Sequence, residues 1–255
     1  MTADIGELAA RLATAAEHRT AIPPLTGDEP GLDTETGYTI QRLARDTAGP
    51  LAGWKLGLTS RAGQAQAGIG EPVHGFLASA NALDLGQPLA SHELIQPRAE
   101  PQIVFLIGRD LSGPAVTAAD VLAATASVAP GLEILDSRFL DYRFTAPDLV
   151  ADNASAGRYL VGAPVPLDGI DLRLAGVVFE HDGEVVGTAA GAAALGHPAA
   201  AVAWLVRSLA AAGDEGLRAG QVVLSGGLTA AVPLRPGDVV VVGIDRLGSV
   251  ELAVA

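Results

Sequence analysis

Residues 98–110 read RAEPQIVFLIGRD, an apolar run that begins with an acid, Glu100, and an amide, Gln102. Strand side chains alternate between faces, so Glu100, Gln102, Val104 and Leu106 share one side, while Ile103, Phe105 and Ile107 share the other. Two oxygen-bearing side chains on one face of an apolar strand can serve a hard-cation site at a strand end. Plain polarity at a sheet edge gives the same pattern. Lys55 is the second residue that stands out, because it is the only lysine in a chain whose other fifteen basic residues are arginine. A lysine can lose its proton when desolvated, form a Schiff base, or act as a general acid or base, none of which arginine does readily. It is therefore a candidate for chemistry, set against simple survival of one lysine in an arginine-biased composition.

The elements that must position these residues are short. The apolar spacing of Ile5, Leu8, Leu12 and Ala15 predicts a helix over 3–19, and Tyr38, Ile40, Leu43 and Ala44 predict another over about 33–48, with a loop between them. Strands are expected at 51–59, 101–108, 158–163, 174–180, 184–189, 221–225 and 238–243, with a hairpin turn at Asp182-Gly183. Helices are expected over 117–129, capped by Thr117, and over 197–213, ended by Gly213. His197 reads as a capping or packing residue, and strand alternation points Trp54 away from Lys55. The pattern is α+β and mainly β: a mixed β-roll or barrel-like core (51–255) with peripheral helices, behind an N-terminal helical cap (1–50).

Composition narrows the function classes. A net charge of −13 argues against nucleic acid or an anionic membrane as partner. The absence of cysteine excludes thiolate ligands, thiol nucleophiles and disulfides. The N-terminus lacks the apolar core of a signal peptide, and the alanine-rich stretch at 189–204 is broken by Gly, His and Pro before it could span a bilayer. A soluble, cytoplasmic protein is the expectation.

Five blocks in order, GWKLGLTS, PRAEPQIVFLIGRDL, LEILDSRFLDYRFTAPDLVADNASAGRYLVG, GAAALGHPAAAVAWL and LSGGLTAAVPLRPGD, resemble the hydratase/decarboxylase branch of the fumarylacetoacetate hydrolase superfamily. That branch includes 4-oxalocrotonate decarboxylase and 2-hydroxypentadienoate hydratase. The DSR…DNAS block and GGLTAAV look closer to the decarboxylases, as does Val73 in EPVHGF, where hydratases typically carry Asp.

The resemblance implies one Mg²⁺ or Mn²⁺ held by an acid-x-acid pair and a third acid downstream, with a 2-oxo acid substrate chelating the metal. Carried onto this chain, the ligands are Glu100, Gln102 and Glu133. The middle one departs from the family's acid, which implies weak or absent metal binding without substrate. Lys55 is expected to face the substrate and stabilise an enolate, in preference to forming a Schiff base, and Ser155 matches a substrate-contacting serine. Gly226, Gly227 and Thr229 resemble a carboxylate-holding loop, or a plain tight turn. His74 is expected in a loop near the substrate, and Arg138 either binds an anionic substrate or pairs with Asp136.

The implied activity is decarboxylation of an unsaturated 2-oxo dicarboxylate. The alternatives are diene hydration, metal-independent cyclisation, dehydration or tautomerisation of a polyketide-like molecule, and a silent partner subunit. A homo-oligomer and a complex with a related hydratase are the macromolecular partnerships that the resemblance implies.

Overall fold

The computed structural model describes residues 4–255. Two N-terminal helices, α1 (Ile5–Glu17) and α3 (Thr34–Thr47), flank the single turn α2 (Leu25–Asp28). Asp4 and Asp33 cap the two longer helices by accepting backbone N–H groups of the first turn. Their buried faces, including Leu8, Leu12 and Ile40, close a small core with Phe139 and Ala151.

The strands that follow are β1 (Leu51–Gly57), β2 (Val73–Ala78), β3 (Ala82–Leu83), β4 (Arg98–Ile107), β5 (Thr125–Leu135) and β6 (Ala156–Val161). Then come β7 (Gly176–His181), β8 (Glu184–Ala190), β9 (Val222–Leu224), β10 (Val232–Pro233), β11 (Val239–Ile244) and β12 (Gly248–Ala253). Four helices lie among them: α4 (Arg61–Ala67), α5 (Ala118–Ala124), α6 (Ala146–Ala151) and α7 (Pro198–Ala211). Eight strands form a mixed half-barrel in the order β2-β1-β9-β4-β5-β6-β3, with β10 on β4, and a second sheet runs β12-β11-β7-β8.

The main core lies on one face of the half-barrel. Trp54, Leu56, Phe76, Ile103, Phe105, Leu132, Ile134 and Val223 meet α7 and the inner residues of the second sheet there. Alternation sends Lys55, Glu100, Gln102 and Glu133 to the opposite face, where Val104, Leu224, Ala129, Tyr159 and Leu77 form a separate apolar cluster. The lysine and the acids thus share one side of one sheet, set by register alone.

The expected helix over 117–129 is corrected to α5, which stops at Ala124. From Thr125 the chain pairs with β4 almost along its length, from Ile107↔Thr125 to Arg98↔Leu135. The helix-like apolar spacing of 117–129 carried no sign of this non-local pairing, which overrides local propensity. Other local expectations hold: Thr117 forms a capping box with Asp120, His197 Nδ1 accepts Ala199 N–H at 3.0 Å, and Asp182 and Gly183 both take positive φ at the hairpin. No described helix is long and apolar enough to cross a membrane.

Candidate active site

Lys55 sits mid-strand in β1, opposite Gly75 of β2 and Leu224 of β9. Glu100 and Glu133 are direct cross-strand partners on β4 and β5. Lys55 Nζ lies 2.7 Å from Glu133 Oε1, with both side chains almost wholly buried. The ammonium also donates a hydrogen bond to Ala154 O at 2.8 Å. Gln102, fully buried, donates its amide to Glu133 Oε2 and accepts Gly226 N–H on Oε1 at 2.8 Å. Glu100 is half-buried and lies against the backbone of Gly227, where a Cβ would stand 2.3 Å from its Oε2.

The electrostatics follow from this crowding. Burial, then repulsion from Glu133, pushes the Glu100 carboxyl up to about 7, with Lys55 pulling the other way. Burial also raises Glu133, against the pull of Lys55. Two desolvated carboxylates on paired positions are short of positive charge, and one ammonium offsets only part of it. Glu133 is fully buried beside the Lys55 ammonium, and the Glu100 carboxylate lies close against Gly227, 2.3 Å from where a Cβ would stand. Two desolvated carboxylates on directly paired positions are a donor set that fits a hard divalent cation.

Several residues singled out in the sequence stand elsewhere. His74 lies within β2, not in a loop, and pairs with Leu56, so its ring faces the core side of the sheet. It stacks on Tyr38 with centroids 4.5 Å apart and meets Trp54 edge-on. Val73, not His74, shares the Lys55 side, within a cluster that includes Leu149, Val150 and Ala154. Arg138 is likewise corrected: it pairs with the Asp152 carboxylate through Nε and spends three of its four other donors on the carbonyls of Asp136, Asp152 and Ala156. A guanidinium so committed holds its own loop and has little left for a substrate.

Ser155 is buried, but its hydroxyl points to Asp152 Oδ2 at 3.4 Å, and the preceding carbonyl, that of Ala154, is what reaches Lys55. Gly226 spends its N–H on Gln102, so it does not offer that group to a ligand. Thr229 donates to Ala230 O at 3.2 Å. Sequence reasoning missed Asn153, which binds both backbone groups of Phe76 through Oδ1 (2.8 Å) and Nδ2 (3.0 Å) and so anchors the turn that carries Ala154. The only sequence signal was an Asn in a short polar run.

Residues 60–255 match the fumarylacetoacetate (FAA) hydrolase C-terminal family. The chain belongs to this family. Over 235 residues it is 40% identical to 4-oxalocrotonate decarboxylase from Pseudomonas putida, covering 90% of this chain and 89% of that one. Over 252 residues it is 39% identical to 2-keto-4-pentenoate hydratase from Burkholderia vietnamiensis, covering 97% and 96%. Among solved structures, 4-oxalocrotonate decarboxylase from Pseudomonas putida G7, complexed with magnesium and adipate, superposes with a TM-score of 0.93 at 38% identity. That match covers 98% of this chain and 97% of the other. Family members with decarboxylase and hydratase activities are thus similar to this chain to nearly the same degree.

Proposed function

We propose that this chain is a carbon–carbon lyase that decarboxylates an unsaturated 2-oxo dicarboxylate of the 4-oxalocrotonate type. The observation that carries the reading is the buried cluster in which Lys55 Nζ stands 2.7 Å from Glu133, with Glu100 paired across the strands. A cation and two carboxylates on one sheet face suit a substrate that must be held by its 2-oxo acid end. The adipate in the similar decarboxylase is a six-carbon dicarboxylate, which supports a substrate of that length and charge.

Glu100 and Glu133 would hold the divalent ion, Mg²⁺ or Mn²⁺, which supplies a Lewis acid for the 2-oxo acid's oxygens. Loss of CO₂ from a vinylogous β-keto acid breaks one C–C bond and leaves its electron pair delocalised onto the C2 oxygen as a dienolate. Lys55 Nζ is oriented by Ala154 O and Glu133, which leaves one N–H to hydrogen-bond that developing charge. The same ammonium can then give a proton to the dienolate. Val73 and its apolar neighbours wall this side of Lys55, which favours departure of CO₂ over activation of a water molecule.

A second reading, hydration of a 2-hydroxydienoate, is supported by the 39% identity to a hydratase over nearly the whole chain. The test is turnover of 2-oxohex-3-enedioate and 2-hydroxypenta-2,4-dienoate by EDTA-stripped protein titrated with Mg²⁺ or Mn²⁺, with CO₂ followed in the same tube. Metal-dependent CO₂ release from the first substrate is the expected result. Water addition to the second without CO₂ from the first would replace the reading with hydration.

A further inference from the structure

We infer that Gln102 makes divalent-cation binding at this site depend on a chelating 2-oxo acid. The inference rests on the reading that Glu100 and Glu133 are the metal ligands. The orientation of the Gln102 amide is dictated by its two partners. The Gly226 N–H can only donate, so it must face Oε1, and the NH₂ group is left to the Glu133 carboxylate, an acceptor. Gly226 is closely fitted as well, with φ of +112° and Thr59 Oγ1 lying 2.1 Å from where a Cβ would stand. Gln102 itself has no exposed surface through which to rearrange.

Glu133 therefore carries a donor at Oε2 and the Lys55 ammonium at Oε1. An incoming ion must displace one of them and gains no oxygen from Gln102. A carboxylate at this position would do the opposite. It would accept Gly226 N–H on one oxygen and turn the other against Glu133, creating two adjacent anions that call for a cation. The amide lowers the formal charge of the three-residue set from −3 to −2 and gives Glu133 a neutral neighbour. A 2-oxo acid brings a carboxylate and a keto oxygen, and so returns both the charge and the donors that Gln102 withholds.

The experiment is Mn²⁺ binding, read from the electron paramagnetic resonance of free ion, by wild type and Gln102→Glu. Each is measured with and without oxalate as the chelating probe, and thermal unfolding is followed alongside. Oxalate should tighten wild-type Mn²⁺ binding about tenfold or more. Gln102→Glu should bind Mn²⁺ alone about tenfold more tightly than wild type and gain less from oxalate. In EDTA the variant should melt below wild type and recover when Mn²⁺ is added. Equal Mn²⁺ affinity of the two proteins without oxalate overturns the inference while leaving the metal-site reading intact. Absence of Mn²⁺ binding to both proteins, with or without oxalate, overturns the metal-site reading and the inference together. Should the variant fail to fold, wild type alone decides, since tight Mn²⁺ binding indifferent to oxalate overturns the inference.

Discussion

Lys55 Nζ and the carbonyl oxygen of Ala154 meet 2.8 Å apart, and Ala154 stands in the middle of three consecutive residues with left-handed backbone. Asn153, Ala154 and Ser155 have φ of 52°, 50° and 57°. For L-residues this conformation costs about 1–2 kcal/mol each, with Asn the most tolerant. The surroundings hold the turn in place. Asn153 pairs with both backbone groups of Phe76 as a neighbouring strand would, and Gly75 leaves space where a Cβ would stand 2.5 Å from Asn153 O. Arg138 and Asp152 brace the other side. The strained turn thereby fixes the direction in which the ammonium points.

Asn153→Ala should accordingly act on both stability and turnover. It removes two partly buried hydrogen bonds and leaves a less tolerant residue in the left-handed region, a loss of about 2 kcal/mol. Turnover should fall further than stability alone explains, because Lys55 loses a fixed acceptor. Urea unfolding and steady-state kinetics at saturating Mg²⁺ would show it. A wild-type unfolding midpoint would mean that the clamp contributes nothing.

Lys55→Met should lower kcat by about 10²–10⁴-fold, while circular dichroism stays native, since Glu133 can take up a proton once its ammonium partner is gone. Lys55→Arg should not restore turnover, because a planar fork cannot replace a compact ammonium wedged between Ala154 O and Glu133. Borohydride added during turnover should leave the protein mass unchanged. A mass gain matching reduced substrate on Lys55 would replace the ammonium role with a Schiff base.

Much of this arrangement was legible in the sequence. Alternation along residues 98–110 put Glu100 and Gln102 on one face, and the same rule separated Lys55 from Trp54, as the core cluster around Trp54 bears out. What stayed hidden depends on contacts between distant segments. His74 lies in a run with Pro and Gly nearby that looks like a loop, and only the pairing of β2 with β1 reveals that Gly75 faces Lys55 and His74 does not. Ser155 drew attention because hydroxyls are recognisable as functional groups, whereas the Ala154 carbonyl carries no mark in a sequence. The left-handed turn that presents it is built from Asn, Ala and Ser, where glycine would have been the usual signal. Arg138 read as paired with Asp136 because the two are close in sequence, but its carboxylate partner is Asp152.

Gly227→Ala tests how closely the Glu100 carboxylate is fitted. A Cβ would stand 2.3 Å from Glu100 Oε2, so the carboxylate must move out of the paired position opposite Glu133. Loss of turnover and weaker Mn²⁺ binding in the presence of oxalate are the expected outcomes, with the fold retained. Gly243→Ala, where a Cβ meets nothing within 4 Å, serves as the control and should match wild type. Unchanged Mn²⁺ binding in Gly227→Ala would remove Glu100 from the ligand set.

His74 gives the fold a pH dependence separate from the chemistry of the site. Burial pushes its imidazole down from 6.5 to about 4, with the attraction of Asp214 opposing, and its Nδ1 has no hydrogen-bond partner. The folded protein therefore holds His74 neutral at pH values where the unfolded chain already binds a proton. Between pH 6.5 and about 4 the unfolded state binds more protons, so stability falls as the pH drops. The contribution is fully present above pH 6.5, and its loss reaches on the order of 3 kcal/mol once the pH passes below the folded value. His74→Phe keeps an aromatic ring against Tyr38 and Trp54 and removes the titration. Urea unfolding at pH 7, 5.5 and 4.5 should show wild type losing stability more steeply than the variant. Parallel slopes for the two proteins would assign the acid sensitivity to other groups.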